Sequence, residues 1–480
     1  MNSSSRKLFG SLKEYDSQLM FCDETGRSRT YAEVASISEC KAFMRTHRKL
    51  VFCIIDNDLN GITGYISLML ADAVPLMLQA NINTKILSEL YDLYKPSYIW
   101  LPKGKAKVFA RVSLLLILGD YVLISLDNPE IAIHSDLSLL LGTSGSTGSP
   151  KYVRLSHENV RSNALAISQL LDLTEDEIPI TTLPPSYTYG LSIIHSHLFV
   201  GATIALTNST FFDRTFWDYM VEVRATSFGG VPYHYEILKK LSFTSMYLPS
   251  LKTLTQAGGK MEKELTLHYA RHCANRGMRF FTMYGQTEAT ARMSYLPADK
   301  AIEKAGSIGI AIPGGKFLLD NEYAEEIDKD GMIGELVYEG PNVSMGYATC
   351  VEDLALGNER HGVLRTGDLG MRDGEGNYYI VGRLKRFIKL YGRRLNLDDV
   401  EKFLTELGHM VACAGQDDCL EIYIIQPTHE GAKQIKKQVC DFLQVAPKAV
   451  SIFSVLELPR NESSKIKYAE LVPKIGVLLA

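Results

Sequence analysis

One stretch constrains the fold more than any other: a glycine-rich segment from Leu141 to Lys151 that directly follows the apolar run at 137–140. The apolar run predicts a buried strand, and 153–155 predicts a return strand after the loop. Ser156 then provides a favourable N-cap for a helix. A loop placed at the end of a buried strand is where α/β sheets collect their ligands.

The composition of this segment favours phosphate binding. It holds three glycines, five hydroxyl side chains and one lysine, Lys151. Backbone N–H groups of such a loop can turn inward around an anion, and the lysine adds a positive charge. A solvated Gly/Ser linker is the alternative. The P-loop pattern does not fit, because Gly148 is followed by Ser149-Pro150 rather than by Lys-Ser/Thr.

Length and composition predict a multidomain globular protein. A chain of 480 residues exceeds one ordinary domain. Hydrophobic residues make up 46% and charged residues 22%, which is typical of soluble proteins. The net charge of −4 gives no sign of nucleic-acid or membrane partners.

Targeting and cysteine patterns predict a cytoplasmic protein. The polar N-terminus lacks the apolar core of a signal peptide, and the most apolar stretch, 114–118, is too short to span a bilayer. The eight cysteines are scattered without a CxxC pair, so neither a metal site nor a disulfide framework is expected.

The order of patterns along the chain predicts an α/β fold. Strand, helix and strand follow each other at 50–78 and again from 98 to 141, which indicates parallel-rich sheets with flanking helices. Short strands and frequent glycines at 306–382 predict a small distorted β-barrel. The large N-terminal domain is therefore placed at 1–384, and a small α+β C-terminal domain at 385–480.

Two further segments carry possible ligand groups. Tyr284-Gly285-Gln-Thr287-Glu288 follows a predicted strand and offers a ring for stacking, a hydroxyl for phosphate and a carboxylate for a hard cation. Gly258-Gly259 ends another predicted strand, where glycine lets a ligand approach the backbone. A polar turn and an ordinary strand-end turn are the alternatives.

These motifs, taken in order, resemble the adenylate-forming superfamily, which contains acyl-CoA synthetases, adenylation domains and luciferases. The match runs from Thr143-Ser-Gly-Ser-Thr-Gly-Ser-Pro-Lys151 through Tyr-Gly-x-Thr-Glu to Thr366-Gly-Asp368. It continues with Gly382-Arg383 and a C-terminal loop at 459–467. In that loop Ser464 stands where the family usually has glycine, and the Pro-Arg and Lys-Ile pairs align the family lysine with Lys465.

The resemblance implies a site for ATP or AMP. Its residues would be Thr143, Ser144, Gly145, Ser146, Thr147, Gly148, Gly258, Gly259, Lys260, Tyr284, Gly285, Thr287, Asp368 and Arg383. It also implies four catalytic residues, Lys465, Glu288, Thr287 and Lys151. Glu288 would meet Mg²⁺, and Lys385 would be the hinge about which the C-terminal domain rotates between two steps.

The implied reaction is adenylation of a carboxylic acid with release of pyrophosphate, followed by transfer to a phosphopantetheine thiol. Coenzyme A and a carrier protein both remain open as acceptors, with coenzyme A favoured. The alternatives are an enzyme that adenylates an amino acid, a luciferase-like oxidase, and a nucleotide-binding protein without catalysis. The intact set of polar motif residues argues against the last. The oligomeric state is not predicted.

The acid is predicted to lack an amino group. Amino-acid-activating relatives carry an aspartate near the position of Gly190, and a buried ammonium without that partner is costly. The candidates for the acyl pocket are Tyr189, Gly190, Gly230 and His234.

Overall fold

The computed structural model describes residues 12–109, 112–143, 151–321, 323–391, 393–460, 466–471 and 477–480. The chain forms two compact units. The first comprises Met1–Leu318 with Val337–Leu364, and the second comprises Leu319–Leu336 with Arg365–Ala480. The boundary predicted at Lys385 lies inside the second unit and stays a prediction.

The strands of the described residues are short and numerous. They are β1 (Leu19–Asp23), β2 (Ser28–Thr30), β3 (Leu50–Ile55), β4 (Val74–Gln79), β5 (Tyr98–Pro102), β6 (Ser113–Leu118), β7 (Tyr121–Ser125), β8 (Leu137–Gly142), β9 (Tyr152–Ser156), β10 (Ile204–Leu206), β11 (Ser227–Gly230), β12 (Thr253–Gln256), β13 (Arg279–Tyr284), β14 (Ser294–Leu296), β15 (Ile310–Ala311), β16 (Lys316–Asp320), β17 (Ile333–Glu339), β18 (Gly346–Ala348), β19 (Val363–Arg372), β20 (Tyr378–Arg383), β21 (Phe387–Leu390), β22 (Arg393–Asn396), β23 (Val411–Gln416), β24 (Cys419–Ile425), β25 (Val450–Val455) and β26 (Val477–Leu478).

The α-helices of the described residues alternate with these strands. They are α1 (Tyr31–Ser38), α2 (Lys41–Met44), α3 (Leu59–Leu70), α4 (Thr84–Tyr94), α5 (His157–Leu170), α6 (Thr188–Leu198), α7 (Arg214–Glu222), α8 (Pro232–Lys240), α9 (Lys263–Asn275), α10 (Leu397–Glu406) and α11 (His429–Leu443). Helix α5 begins at the predicted N-cap, because the Ser156 hydroxyl accepts a hydrogen bond from the backbone N–H of Asn159. No α-helix in the described ranges is both long enough and apolar enough to cross a membrane.

An eight-stranded sheet in the order β18-β9-β8-β4-β3-β5-β7-β6 dominates the first unit. All six residues of its central strand β3 are buried, as expected for a strand covered on both faces. Val51, Cys53 and Ile55 pack into one apolar cluster with α3, whereas the alternate residues of β3 pack into a second cluster with α4. The sheet therefore has a core on each face.

The region from 98 to 141 differs from the prediction of a second strand-helix-strand unit. Strands β5, β7 and β6 are neighbours and pair antiparallel. Between β5 and β6 the structure describes only a short 3-10 helix, Lys103–Val108. The apolar run at 114–118 is the edge strand β6, whose Leu114 and Ile117 are exposed. A leucine-rich edge strand and a buried strand both appear in the sequence as an apolar run. The composition of 114–118 therefore could not show that this segment is an edge strand.

A five-stranded sheet in the order β11-β12-β13-β14-β15 carries the other predicted ligand segments. Strands β11, β12 and β13 are parallel, with Gly230 paired to Gln256 and Gln256 paired to Thr282. Their carboxyl ends therefore lie along one edge of the sheet, where ligands of open α/β sheets bind.

Strands β16, β17, β19 and β20 form a four-stranded sheet in that order. The second unit also contains the hairpin of β21 with β22 and a four-stranded sheet ordered β23-β24-β25-β26. Helices α10 and α11 cover this last sheet through an apolar cluster that includes Val400 and Val439.

Candidate functional site

The glycine-rich segment connects two paired strands, as the sequence predicts. Strand β8 ends and β9 begins in antiparallel register, with Gly142 opposite Tyr152. Thr143 and Lys151 lie at the two ends of the connection. The remaining predicted phosphate ligands, Ser144, Gly145, Ser146, Thr147 and Gly148, lie outside the described residues.

Lys151 contacts an aromatic residue that sequence reasoning missed. Strand β18 pairs antiparallel with β9 and sets Tyr347 opposite Val153. The Lys151 Nζ atom lies 3.3 Å from the centroid of the Tyr347 ring, a cation–π contact. This pairing joins segments almost 200 residues apart, so no local pattern indicated it.

The same tyrosine holds the predicted metal-binding carboxylate. The Tyr347 hydroxyl donates a 2.7 Å hydrogen bond to Glu288 Oε1. Burial, and then the Glu288 carboxylate, raises the pKa of Tyr347 to about 12. Tyr347 is therefore a neutral donor at physiological pH, and it brings Lys151 and Glu288 to one place.

A buried arginine fixes the segment that carries Tyr347. Arg154 is fully buried in β9, and its Nε donates to the Tyr347 carbonyl at 2.9 Å. Its Nη2 contacts Glu359 Oε2 at 2.5 Å. Gly346 has φ 139°, a backbone conformation that favours glycine. A Cβ there would also lie 2.8 Å from Arg154 Nη2, so glycine is needed where β18 passes the Arg154 side chain. The arginine inside an otherwise apolar strand was the sequence signal for this anchor.

The turn that holds Thr287 and Glu288 is tightly packed. Thr287 is buried in a short 3-10 helix. A Cβ on Gly285 would lie 1.7 Å from the Ala291 carbonyl oxygen, so only glycine fits there. Thr290 adopts φ 67°, and its hydroxyl donates to the Asn342 carbonyl at 2.6 Å. These contacts hold the carboxylate-bearing turn in one conformation.

Four further residues of the predicted nucleotide site lie at the carboxyl ends of β12 and β13, namely Gly258, Gly259, Lys260 and Tyr284. The Tyr284 ring packs at 6.4 Å, centroid to centroid, against Phe317. Gly258 has φ 84°, and a Cβ there would lie 2.4 Å from the Tyr187 hydroxyl. Gly259 accepts a 2.8 Å hydrogen bond from Gln256 Nε2, and Lys260 is exposed.

The predicted acyl-pocket residues lie on helix α6, at the end of β11 and on helix α8. Tyr189 is buried, and its hydroxyl donates to the Thr255 carbonyl at 2.8 Å. A Cβ on Gly190 would lie 2.6 Å from the Pro184 carbonyl oxygen, so helix packing itself requires glycine there. A Cβ on Gly230 would lie 3.0 Å from Tyr235 Cε2, and burial lowers the pKa of His234 to about 4.

Two residues of the predicted nucleotide site, Asp368 and Arg383, are paired within the second unit. Asp368 on β19 lies directly opposite Arg383 on β20. Arg383 Nε is 3.1 Å from Asp368 Oδ1, and the Asp368 side chain is almost fully buried while that of Arg383 is exposed. Strand pairing therefore brings the aspartate next to the Arg383 guanidinium, which sequence spacing alone did not establish.

The structure describes only the flanks of the predicted catalytic lysine. Lys465 lies outside the described residues, and an isolated antiparallel bridge joins Arg460 to Ile466 on either side of it. The Nζ atom of Lys467 pairs with Glu470 at 2.9 Å. Lys385 lies in a short 3-10 helix after β20.

A single carboxylate suits a magnesium ion that also binds phosphate. Among the residues that the structure describes, no group of three or more His, Cys, Asp or Glu side chains could hold a metal ion. Mg²⁺ commonly takes one or two protein carboxylates and completes its shell with water and substrate phosphates. Within the described ranges the recorded side-chain hydrogen bond of Glu288 is made by Oε1, which leaves Oε2 for such an ion, so the residues present fit this mode of binding.

The sequence is similar to a known enzyme family and to named ligases. Residues 72–348 match the family described as AMP-binding enzyme. A 2-succinylbenzoate--CoA ligase from Bacillus thuringiensis subsp. konkukian is 29% identical over 366 residues, which is 71% of this chain and 72% of the relative.

Two solved structures share the fold. The O-succinylbenzoate coenzyme A synthetase (MenE) from Bacillus subtilis, in complex with AMP, superposes with a TM-score of 0.78 at 19% identity, covering 98% of both chains. The same synthetase in complex with ATP and magnesium ion gives 0.74 at 20% identity, covering 94% of this chain and 96% of that one. Because the family match spans more than half of the sequence, this chain belongs to the AMP-binding enzyme family.

Proposed function

We propose that this protein is an ATP-dependent ligase that activates a carboxylic acid as its acyl-adenylate and then transfers the acyl group to coenzyme A. The observation that carries the proposal is the arrangement around Tyr347, which joins Lys151 at the end of the glycine-rich loop to Glu288. Tyr347 is neutral and contacts one cation, Lys151, and one anion, Glu288. This pair suits a metal–triphosphate substrate, because the lysine can bind phosphate oxygens and the carboxylate can bind the metal.

In the first step a carboxylate oxygen of the acid bonds to the α-phosphorus of ATP, and the bond between the α-phosphorus and pyrophosphate breaks. Lys151 and the loop would bind the departing phosphates, and Asp368 would accept hydrogen bonds from the ribose hydroxyls. Glu288 would hold the magnesium ion, which would neutralise charge on the phosphate oxygens. Lys465 would stabilise the charge that develops between the carboxylate and the α-phosphate.

In the second step the thiolate of coenzyme A bonds to the acyl carbon, and the bond from that carbon to the AMP oxygen breaks. Coenzyme A is favoured over a carrier protein because the relatives reported above are named as coenzyme A ligases or synthetases. We place the reaction in the cytoplasm, where ATP and coenzyme A are available. We also retain Lys385 as the proposed hinge between domains 1–384 and 385–480.

Product analysis tests this proposal. The purified protein is incubated with ATP, Mg²⁺, coenzyme A and a panel of carboxylic acids, and the products are separated by liquid chromatography with mass detection. One or more acids should give acyl-CoA, AMP and pyrophosphate in equal amounts. Formation of ADP and phosphate in place of AMP and pyrophosphate would contradict the proposal.

A further inference from the structure

Arg360 is a second cation at the Tyr347 ring, and the proposed reaction has not yet used it. Its Cζ atom lies 4.8 Å from the centroid of that ring. The Lys151 Nζ atom lies 3.3 Å from the same centroid. All three residues belong to the first unit. One aromatic side chain therefore gathers two positively charged groups that are more than 200 residues apart in the sequence.

The backbone that carries Arg360 is fixed beside the strand that carries Tyr347. The N–H of the preceding residue, Glu359, donates a 2.8 Å hydrogen bond to the Met345 carbonyl, two residues before Tyr347. The Asn358 side chain accepts a 3.1 Å hydrogen bond from the N–H of Arg360 itself. The guanidinium is therefore presented from an anchored turn to the ring of Tyr347.

Neither cation makes an ion pair within the part of the chain that the structure describes. The carboxylate next to Arg360 in the sequence, that of Glu359, is paired with the buried Arg154. The Glu288 carboxylate accepts its hydrogen bond from the Tyr347 hydroxyl. In the Arg360 guanidinium Nε is enclosed without a hydrogen-bond partner, whereas Nη1 and Nη2 are not enclosed in this way. The two terminal nitrogens therefore remain available to a ligand.

Arg154 shows what a structural arginine looks like in this protein, because its guanidinium contacts three backbone carbonyls and one carboxylate. The guanidinium of Arg360 lies instead beside the polar end of Tyr347. Burial, and then the Glu288 carboxylate, raises the pKa of Tyr347 to about 12, and Arg360 opposes this rise. Arg360 therefore acts on the same hydroxyl that holds the proposed magnesium ligand.

The two cations create a strong local preference for an anion. Their distances to the shared ring centroid put Lys151 Nζ and Arg360 Cζ no more than about 8 Å apart, close enough for like charges to repel each other at physiological ionic strength. A ligand with two or more negative charges can contact both groups and remove this repulsion. Arginine binds phosphate oxygens through two parallel hydrogen bonds, and lysine binds them as a point charge.

We propose that Arg360 is a second phosphate-binding residue of the nucleotide site, which together with Lys151 binds the β- and γ-phosphates of ATP and the pyrophosphate formed from them. This assignment rests on the proposed function and extends it to a residue outside the sequence motifs. Since the two residues approach the phosphates from different segments, Arg360 contributes to affinity for ATP and pyrophosphate but not to affinity for AMP.

Binding of three ligands tests the assignment. Isothermal titration calorimetry with Mg²⁺ measures the affinities for ATP, inorganic pyrophosphate and AMP. Arg360→Met should weaken binding of ATP and of pyrophosphate by about 10- to 100-fold, the range expected for loss of hydrogen bonds between charged groups, and should change AMP binding by less than about twofold. Arg360→Lys should lose less, because it keeps the charge.

Arg279→Met is the matched control. Arg279 also lies over an aromatic ring, with Cζ 5.7 Å from the Phe281 centroid, but it is paired with Asp172 at 3.3 Å. This variant should bind all three ligands as the wild type does. Unchanged pyrophosphate affinity in Arg360→Met would overturn the assignment. An equal loss of AMP affinity would also overturn it, because it would indicate that Arg360 only supports the packing of the site.

A measurement on the wild-type protein decides even where Arg360→Met does not fold. Phenylglyoxal modifies arginine side chains, and peptide mass spectrometry follows its reaction with Arg360. Pyrophosphate with Mg²⁺ should slow this reaction, and AMP should not. Labelling of Arg360 that pyrophosphate does not slow would overturn its role, even in a protein that exchanges pyrophosphate into ATP. Protection without exchange for any carboxylic acid would instead leave the phosphate site established and contradict the adenylating function.

Discussion

The hydroxyl of Tyr347 lies 2.7 Å from Glu288 Oε1 and donates a hydrogen bond to it. The two residues are far apart in sequence, and strand β18 brings them together by pairing with β9, which starts one residue after Lys151. Because the Lys151 ammonium also lies over the Tyr347 ring, one side chain orients both the proposed phosphate-binding lysine and the proposed magnesium-binding carboxylate. The arrangement around Tyr347 is therefore the structural basis of the proposed ATP site.

Removing only the hydroxyl of Tyr347 should weaken the use of magnesium. Tyr347→Phe keeps the ring for Lys151 but leaves Glu288 without its orienting donor. Loss of such a partner of a metal ligand typically costs about 10- to 100-fold in metal affinity or activity. We expect the Mg²⁺ concentration for half-maximal pyrophosphate release to rise by about this factor.

Tyr347→Leu is the companion variant, because it removes the ring as well as the hydroxyl. It should raise the required Mg²⁺ concentration and also raise KM for ATP, since Lys151 loses its support. An unchanged Mg²⁺ dependence in Tyr347→Phe would show that Glu288 does not need this hydrogen bond.

Asp368→Ala should weaken ATP binding by about 1.5–3 kcal/mol, the usual contribution of hydrogen bonds to a charged group. Isothermal titration calorimetry with ATP measures the change. Asp320→Ala is the control, because Asp320 pairs with Arg365 at 2.7 Å on the same four-stranded sheet and has no proposed ligand. If Asp368→Ala binds ATP as tightly as the wild type does, Asp368 does not bind the nucleotide and serves only as the ion-pair partner of Arg383.

The sequence predicted the local elements of the site better than its long-range contacts. The strands beside the glycine-rich loop, the Ser156 cap and the strand before Tyr284 are confirmed. These follow from apolar runs and capping chemistry, which act over a few residues.

Contacts between distant segments could not be predicted in this way. Tyr347 reaches Glu288 only because strand β18 pairs with β9. The same holds for the segment between β5 and β8, where the described residues form a 3-10 helix and the antiparallel pair β6 and β7 in place of the predicted crossover helix. Which strands pair depends on the neighbouring strands of the sheet and not on the local sequence. The roles proposed for individual site residues stay predictions.

Acid should destabilise the protein through buried histidines of the first unit. Burial lowers the pKa of His195 to about 3 and those of His197 and His234 to about 4. As pH falls below about 6.5, the unfolded chain binds protons that the folded one cannot, so stability falls. Each such histidine should cost about 2 kcal/mol by pH 5, at 1.36 kcal/mol per pKa unit.

Urea unfolding at pH 7 and pH 5 measures this effect. His195, whose Nε2 lies 2.8 Å from the Tyr65 hydroxyl, is the best position to vary because it has no proposed role with substrates. In His195→Gln the loss of unfolding free energy between the two pH values should be smaller than in wild type by about 2 kcal/mol. The same loss in both proteins would show that His195 takes up its proton in the folded state.

Lys465 and Lys467 should differ in their effect on adenylation. Lys467 is already paired with Glu470, and its backbone N–H donates to the Pro459 carbonyl. Lys465→Ala should therefore slow adenylation by about 10²- to 10³-fold, by analogy with loss of an oxyanion donor, and Lys467→Ala should change it little. Thioester formation from supplied acyl-adenylate should survive in both variants, because the α-phosphate step is then complete.

The reverse order of effects would mean that the alignment of this loop is wrong by two residues. Equal loss in both half-reactions for Lys465→Ala would mean that this lysine does not act on adenylation alone.

Exchange of labelled pyrophosphate into ATP without coenzyme A tests the central claim most directly, because it reports reversible formation of the acyl-adenylate alone. We predict exchange that requires both a carboxylic acid and Mg²⁺ and that is abolished by EDTA and lowered by at least about 10²-fold in Glu288→Gln. Exchange that persists in EDTA would contradict the role of Glu288. Absence of exchange with every acid, in a folded protein that binds ATP, would contradict the adenylating function.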